Sequence, residues 1–554
     1  MDDHADAGMM LPDDAPPSQA LELLVADQPE RHDLVIGFVG AIGTPWSPTL
    51  RLFDRSLLSF GYKTEHIHVA GLLDDLDYQP LGPLPDRHSR EYYQKRMDAG
   101  DALRANTKSG ASMAALAVRE IVANRSEGNE QTTPVAYLLH SLKHPDEVKL
   151  LRHVYGGAFS LAGVVSSVID RRNALAAKFE PFGGGFALAE SLIARDESDT
   201  ANYEFGQNVR DTYATADVFI PSGSSSDATK YVDRYIQSLF GSPFLTPTQD
   251  EEGMQFAQVA ALRSAARGRQ VGAAVIPTSG TPVIAGTNEV PRPGGGQYWE
   301  GHEPDYRDFK EGEDPNPRYI DVTMRELFDR LKEHGWLTRD LNILSGAELL
   351  ERARQTNTKG KSVLSGTRAS ALIEFTRCLH AEQAAIINAA RAGVTTQGAI
   401  LYTTTFPCHE CAKLIIGAGI VEVRYIEPYP KSLVSRLYEH LIDTSPSLGA
   451  PRGLIDKRVP FHHFVGIAPR HYALAFTAGT RNIDRPCLER YRNAERLSSV
   501  IGMEQGSGGG EGAYDHRVDI TNGPRVSDAP TRCSAKKRRP RFWHRSSAES
   551  RGLR

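Results

Sequence analysis

The chain has 554 residues, of which 40% are hydrophobic and 24% are charged. This length predicts two to four domains, each with its own core, and the composition excludes collagenous, coiled-coil and fully disordered proteins. The formal net charge is −5, but the last 24 residues hold nine Lys/Arg against one Glu, which leaves about −13 on the rest. An acidic body is a poor match for nucleic acid, so we expect any nucleic-acid contact only through the basic tail.

The five cysteines are too few, and odd in number, for a disulfide framework. Two of them form one C-x-x-C, which favours a reducing compartment and a metal or redox site. The first residues are acidic, so we expect no secretory signal. Apolar runs fall well short of the 18 residues that a membrane span needs. These features predict a cytoplasmic protein without a membrane segment.

Residues 31–241 show the pattern of an α/β domain. Short apolar runs at 34–39, 135–139, 161–165 and 216–220 predict buried strands, and they alternate with helical stretches at 99–124 and 146–155. Such alternation is typical of a doubly wound parallel sheet. A helix at 231–240 is expected to close this domain. Residues 1–30, rich in Asp, Pro and Ala, are predicted to be disordered.

Residues 250–480 are predicted to form a second α/β domain after a proline-containing linker at 242–248. The pattern predicts a helix at 250–267 and a hairpin with strands at 271–276 and 282–285. A mostly polar insertion with helices at 323–334 and 347–355 follows at about 292–368. From Glu374 the expected order is helix, strand 399–404, helix 408–417 and strand 421–426. Residues 481–554 are predicted to be a disordered tail with a basic end.

Two short motifs in this second domain predict a metal site. Cys408 and Cys411 lie three residues apart after Pro407, which is typical of a helix start, so both thiols should face one side of the first turn. A helix N-terminus favours the thiolate form that Zn²⁺ binds. His380, expected to open the preceding helix, supplies a third ligand. Three protein ligands leave one position of a tetrahedral zinc open for water, as catalytic zinc sites do.

Glu382 follows the histidine by two residues, close enough to move protons without binding the metal. The combination of H-x-E with P-C-x-x-C is a known signature of zinc nucleobase deaminases. Taken alone, a C-x-x-C also suits a redox pair or half of a structural zinc site. We expect His409 and Glu410 to face away. The remaining cysteines, namely Cys378, Cys487 and Cys533, are predicted to be core or surface thiols.

The span 250–469 resembles the cytidine and deoxycytidylate deaminase superfamily. The resemblance is carried by 269–273 (RQVGA), 286–291 (GTNEVP), 380–382 (HAE) and 404–413 (TTFPCHECAK). It implies an α/β/α sandwich with Zn²⁺ held at two helix N-termini by His380, Cys408 and Cys411, and with Glu382 as catalytic acid and base. It also implies that Asn288 contacts the sugar of the substrate; an asparagine that is merely tolerated in a turn is the alternative.

The first domain contains an incomplete phosphate-binding loop after its first strand. Gly40, Gly43, Thr44 and Ser47 fit the pattern G-x-x-x-x-G-K-[ST] in part, but Pro45 replaces the second glycine and Trp46 the lysine. Proline removes a backbone donor and tryptophan removes the cation, so phosphotransfer is not expected. We interpret this unit as a degenerate P-loop-kinase-like domain that binds a ligand, docks a partner or builds an oligomer; a plain strand-to-helix turn is the alternative.

A kinase-like first domain joined to a deaminase with an insertion resembles the bacterial antiphage dCTP deaminases, and 141–145 (SLKHP) and 250–254 (DEEGM) fit that family. The resemblance implies that dCTP becomes dUTP with release of ammonia, and that infection triggers this reaction to deplete dCTP in defence against phage. We also expect a homo-oligomer. Candidate triphosphate contacts are Arg263, Arg267, Arg269 and Lys413, each of which also suits a solvated surface. Three other functions stay open: dCMP deamination in nucleotide metabolism, deamination of a base in tRNA or single-stranded DNA, and an inactive nucleotide sensor that keeps zinc to fold.

Overall fold

A computed structural model describes residues 33–477 except 77–82, 86–88, 128–133, 181–184, 198–204, 224, 243, 357–361, 430–431 and 447–452. The two segments predicted to be disordered, 1–30 and 481–554, lie outside these residues. The described part confirms the mixed α/β class, with two six-stranded sheets. Each described helix is too short or too polar to cross a membrane.

The first sheet has the strand order β12-β5-β4-β1-β3-β2, in which β12 is the late strand Gly466–Ile467 and β1 to β5 run parallel. Its first five strands are β1 Leu34–Val39, β2 Lys63–His68, β3 Val135–Leu142, β4 Phe159–Val165 and β5 Val218–Pro221. Central β1 is buried on both faces, and Ile36 pairs with Leu138 of β3 and Ser160 of β4. The sequence pattern missed β2, because this edge strand is mostly polar and only Ile67 in it is buried.

Helices cover both faces of this sheet. They are α1 Trp46–Ser59, α2 Arg90–Thr107, α3 Ser112–Glu127, α4 Pro145–Tyr155, α5 Val168–Phe179, α6 Gly185–Glu197, α7 Val209–Tyr213 and α8 Ser226–Leu239. On one face, Phe53 of α1 packs edge-on against Phe38 of β1. The single helical stretch predicted at 99–124 is wrong: it divides into α2 and α3, because Lys108 adopts a left-handed backbone with φ 51° that ends α2.

The second sheet has the order β10-β11-β9-β8-β6-β7. Its strands are β6 Gly272–Ile276, β7 Ile284–Thr287, β8 Ile400–Thr405, β9 Glu422–Glu427, β10 Ile442–Asp443 and β11 Val459–His463. The predicted hairpin is present, since β6 and β7 are antiparallel neighbours. Strand β6 is also antiparallel to β8, whereas β8 runs parallel to β9.

The helices of the second unit, in chain order, are α9 Gln249–Leu262, α10 Asp308–Glu311, α11 Pro315–Glu333, α12 Arg339–Asn342, α13 Gly346–Arg354, α14 Ala381–Ala392, α15 His409–Gly417, α16 Val434–Leu437 and α17 Pro469–Phe476. Helices α10 to α13 lie in the polar insertion between β7 and α14. Helix α9 ends five residues before the predicted end at 267, where the Ser264 hydroxyl donates to the carbonyl of Asn288 and the chain turns towards β6.

The two units share structure at β12 Gly466–Ile467, a late strand that pairs antiparallel with β5 of the first sheet. Glu251 of α9 fixes this junction. Its buried carboxylate accepts from the guanidinium of Arg234 at 2.6 Å and from the backbone N–H of Ile467 at 3.0 Å. A residue at the start of the second unit therefore ties together a helix of the first unit and the strand that extends its sheet.

Candidate metal centre

His380 is the N-cap residue of α14, with an extended backbone at φ −72° and ψ 155°. The Gln383 side chain accepts a hydrogen bond from the backbone N–H of His380 at 3.0 Å. This bond ties the histidine to the first helical turn and fixes where its ring emerges. Gln383 is thus a positioning residue that the motif analysis missed, although a Gln three residues after an N-cap is a recognisable sequence signal.

Cys408 is the N-cap residue of α15, and Pro407 precedes it. The backbone N–H of Cys411, in the first turn, points at the Cys408 sulfur at 3.5 Å. The helix begins at His409, one residue after the predicted start. Both thiols nevertheless lie at the same helix N-terminus, as the spacing predicts.

The three expected ligands come together in the structure. Nδ1 of His380 lies 3.2 Å from Sγ of Cys408 and 3.4 Å from Sγ of Cys411. All three ligand atoms lie within 4.8 Å of one another. A tetrahedral zinc with its usual Zn–S and Zn–N bonds separates an imidazole nitrogen from a thiolate by about 3.6 Å. The residues therefore fit Zn²⁺, with an imidazole and two sulfurs as the donors.

The surroundings favour the thiolate form of Cys408, whereas burial raises the pKa of the Cys411 thiol. Hydrogen bonds from Cys411 and His380 lower the pKa of the Cys408 thiol to about 4. A hydrogen bond to Cys408 in turn raises the pKa of His380. Since zinc binds thiolates, a cysteine that already loses its proton easily lowers the proton-release cost of metal binding.

Glu382 lies in the first turn of α14 with only 4% of its surface exposed. Its Oε2 is 3.4 Å from Sγ of Cys411, next to the ligand group but not part of it. Burial raises the pKa of this carboxyl to about 7. A carboxyl that gains and loses a proton near neutral pH suits a proton shuttle.

Close packing of β7 against α14 holds the helix N-terminus in place. Gly286 faces the helix backbone so closely that an added Cβ would lie 2.2 Å from the nitrogen of Ala385 and 2.4 Å from the carbonyl oxygen of Ala381. Only glycine permits this approach. This contact with the hairpin thereby fixes how closely α14, the helix that carries His380 and Glu382, packs against the sheet.

A cavity of about 250 Å³ opens beside His380. Its described lining includes Gln383, Thr376, Glu374 and Glu410. Glu410, expected to face away, thus lines this cavity, where it also pairs with Lys413. Cys378 lines it too, but its thiol donates to Asp308 at 3.4 Å, and burial raises its pKa, so this thiol stands apart from the ligand group.

The candidate substrate cations are all engaged with other protein groups. Arg263 donates to the carbonyl of Tyr298 and stacks on the ring of Trp299, 3.6 Å from its centroid. Arg269 pairs with Asp211 and Glu427, Arg267 with the carbonyl of Gly312, and Lys413 with Glu410. The described lining of the cavity beside His380 includes none of the four.

Asn288 is held by the backbone around it. Its Nδ2 donates to the carbonyl of Arg269 at 2.8 Å, and its Oδ1 accepts from the N–H of Val271 at 2.7 Å. The neighbouring Glu289, which is buried, accepts from the N–H groups of Ala265 and Val290. These two side chains order the loop after the hairpin, and the role of Asn288 towards a sugar stays a prediction.

Hydrogen bonds to the protein's own groups hold the incomplete phosphate-binding loop. Gly43 has a φ of 87°, and the Thr44 hydroxyl donates to the carbonyl of Ala41 at 2.6 Å. Gly40 precedes this turn, and Ser47 lies exposed in the first turn of α1. The N–H of Ile42 donates to the buried carboxylate of Asp196 at 2.6 Å. An acidic side chain of the protein thus accepts from this loop, a contact that the motif did not predict.

Comparison with known proteins agrees with this geometry. Residues 247–427 match the family model of the cytidine and deoxycytidylate deaminase zinc-binding region. ComE operon protein 2 of Bacillus subtilis is 49% identical over 53 residues, 10% of this chain and 28% of the relative. A probable deoxycytidylate deaminase of Drosophila melanogaster is 44% identical over 66 residues, 12% and 32% respectively. Deoxycytidylate deaminase of phage T4 is 46% identical over 54 residues, 10% and 28%.

The chain thus spans about a third or less of the length of these relatives. Among solved structures, dCMP deaminase from the cyanophage S-TIM5 in apo form aligns over 39% of this chain and all of its own, with 17% identity and a TM-score of 0.21. A TM-score of this size does not establish a common fold. The matched region and the His380, Cys408 and Cys411 group both identify zinc as the metal that this site fits.

Proposed function

We propose that the protein is a zinc-dependent enzyme that hydrolytically deaminates deoxycytidine nucleotides in the cytoplasm. The observation that carries the proposal is the contact of Glu382 with a ligand group formed by His380, Cys408 and Cys411. A structural zinc site needs no buried carboxyl beside it, whereas hydrolysis needs a proton carrier. The zinc-binding-region match and the names of the relatives support the same chemistry.

The residues of the site have two roles in the reaction, metal binding and proton transfer. When bound, zinc supplies a Lewis acid that makes water nucleophilic near neutral pH. His380, Cys408 and Cys411 hold the ion. Glu382 accepts a proton from the attacking water and delivers it to N3 of cytosine. It then takes the second proton of the former water and delivers it to the exocyclic amine, which leaves as ammonia.

One bond to C4 forms and one breaks in this reaction. The bond formed joins C4 to the water oxygen, and the bond broken joins C4 to the amino nitrogen. Glu382 ends in the protonation state in which it began, and N3 keeps the proton that uracil carries. Burial supports the shuttle, because a carboxyl with a pKa near 7 exchanges protons readily in both directions at neutral pH.

For the substrate we propose dCTP, converted to dUTP in a homo-oligomer that depletes the nucleotide pool during phage infection. This rests on the resemblance of the two-part chain to antiphage dCTP deaminases. The second candidate is dCMP, favoured by the names of the Drosophila and phage T4 relatives. Base deamination within a polynucleotide is less favoured, because the chain before the basic tail carries about −13.

A substrate panel tests the proposal. The purified zinc-loaded protein is offered dCTP, dCMP, CTP and a cytosine-containing single-stranded oligonucleotide, and ammonia release is measured for each. We expect turnover of dCTP above that of the other three. Preferred turnover of dCMP would establish the second candidate, and turnover of the oligonucleotide alone would overturn the free-nucleotide proposal. Release of no ammonia from any substrate would overturn the assignment as a cytidine deaminase.

A further inference from the structure

The first unit contains a cavity of about 620 Å³, remote in the chain from the zinc ligands. It lies beyond the carboxyl ends of β1 and β3. Ile36 and Phe38 of β1 pack with α1 on one face of the sheet, whereas Val35 and Val39 pack with α4 on the other. The helices that follow β1 and β3 therefore lie on opposite faces of the sheet. A crevice at such a point is where open α/β sheets bind their ligands.

The walls of this cavity are mostly apolar and aromatic. Trp46, Tyr92 and Tyr93 contribute rings, and Met97 and Met113 are buried apolar side chains that also line it. A cavity of this size falls in the range that encloses small organic ligands. Aromatic rings with flexible methionines between them suit a flat, polarisable molecule.

Arg96 and Lys178 also line the cavity, where Arg96 pairs with Asp74 and Lys178 donates to the hydroxyl of Tyr93, but the groups at the loop itself disfavour a phosphate. The fully buried Asp196 accepts from the N–H of Ile42 and pairs with Lys143 at 2.8 Å. The N–H of Ile42 and the ammonium of Lys143 are thereby both bound to the carboxylate of Asp196. Trp46 also covers the loop, since a Cβ on Gly40 would lie 2.9 Å from its ring. A polyphosphate here would face a buried negative charge and an indole ring in place of a lysine.

Arg104, the most deeply buried cation of the cavity, is already paired with carboxylates. Arg104 lines the cavity and is only 2% exposed. Its Nη2 donates to Glu147 at 2.8 Å and its Nη1 to Asp101 at 3.2 Å. Its Nε has no hydrogen-bond acceptor among the residues that the structure describes. That atom is buried, so Arg104 presents to the cavity a cation that Glu147 and Asp101 already match.

We propose that this cavity binds an uncharged planar heteroaromatic compound of nucleoside size. Its ring contacts Trp46, Tyr92 and Tyr93. The charge of Arg104 is already matched by Glu147 and Asp101, so it favours a neutral ligand over an anion. This site is separate from the proposed deaminase centre and does not depend on its chemistry.

Gly100 offers a way to fill the cavity. It lines the cavity from the middle of α2, and a Cβ added there would meet only Nη1 of Arg104 at 3.7 Å and Nε2 of Gln207 at 4.0 Å. These are ordinary contacts, and glycine is unfavourable inside a helix, so Gly100→Leu should fold. Ala105→Leu places the same side chain on the exposed side of the same helix and is the matched control.

The test is calorimetric titration of the full chain with adenosine, guanosine and thymidine, and with their triphosphates. These probes contain no cytosine. We expect at least one nucleoside to bind, its triphosphate to bind at least about tenfold more weakly, and Gly100→Leu to raise the nucleoside Kd at least about tenfold while Ala105→Leu leaves it unchanged. Failure of all three nucleosides to bind would overturn the proposal. So would equal or tighter triphosphate binding, or nucleoside binding that Gly100→Leu does not weaken in a protein shown to be folded by circular dichroism.

Discussion

His380 and Cys408 are each the N-cap residue of a helix, and the Nδ1 of one lies 3.2 Å from the Sγ of the other. The metal centre is therefore formed where two helix N-termini meet. The partial positive charge at both ends favours a negatively charged group between them, such as the thiolate of Cys408. This arrangement also places Cys411 and Glu382, each in a first helical turn, beside the same point.

Replacing a ligand cysteine should remove the metal. We expect Cys408→Ala and Cys411→Ala to bind far less zinc than the parent chain and to lose deamination, because two remaining ligands hold Zn²⁺ weakly. Cys378→Ala is the matched control, since this buried thiol contacts Asp308 instead of the ligand group. Zinc per chain is measured by atomic emission after dialysis. Equal zinc loss in all three variants would contradict the assigned ligand set.

Enlarging Gly286 should displace the helix that carries the site. The Cβ of Gly286→Ala would overlap the backbone of α14, so we expect the free energy of unfolding to fall by about 1–3 kcal/mol and turnover to fall with it. Gly268→Ala is the control, because an added Cβ there meets no atom within 4 Å among the described residues. Urea unfolding and ammonia release are measured for both. A fully stable, fully active Gly286→Ala would show that this contact does not position α14.

Buried histidines should make the fold sensitive to acid. Burial lowers the pKa values of His140 and His463 to about 4; for His140 the neighbouring His68 and His66 add to the effect. Unfolded histidine titrates near 6.5, so below that pH the unfolded chain takes up protons that the folded chain does not. Stability is therefore full above about pH 6.5 and is lost as the pH falls towards 4, by on the order of 3 kcal/mol for each histidine.

The matching experiment compares urea unfolding at pH 7.5, 6 and 5 for the parent chain, His140→Gln and His153→Gln. His153 is exposed on α4 and serves as the control. We expect only His140→Gln to flatten the dependence on pH. The zinc ligands are the same in all three proteins, so their own acid sensitivity cancels in the comparison. Parallel curves for the three would contradict the role given to His140.

The ligand group follows from sequence because its chemistry is local. Spacing alone places Cys408 and Cys411 on one helical turn and Glu382 next to His380, and the pairing of the two motifs predicts the metal. The hairpin was predictable for the same reason, since β6 and β7 are adjacent in sequence. Strand β2 was missed because an edge strand needs few buried residues.

Long-range contacts were beyond the sequence pattern. Arg269 is an isolated cation by sequence, yet the fold places it between Asp211 of the first unit and Glu427 of the second. The pairing of β12 with β5 joins residues about 250 positions apart, and no local pattern indicates that partner. The hydrogen bond from the N–H of Ile42 to Asp196 likewise joins residues that are far apart in the sequence, so no local pattern predicts it.

The central claim is that Glu382 moves the protons of a deamination at a zinc held by His380, Cys408 and Cys411. The most direct test is the turnover number of Glu382→Gln, measured as ammonia release alongside zinc per chain and thermal stability. We predict unchanged zinc content and a drop in turnover of about 10²–10⁴-fold, while Glu439→Gln, an exposed control, keeps full activity. Turnover at the parent rate by a zinc-loaded Glu382→Gln would contradict the account.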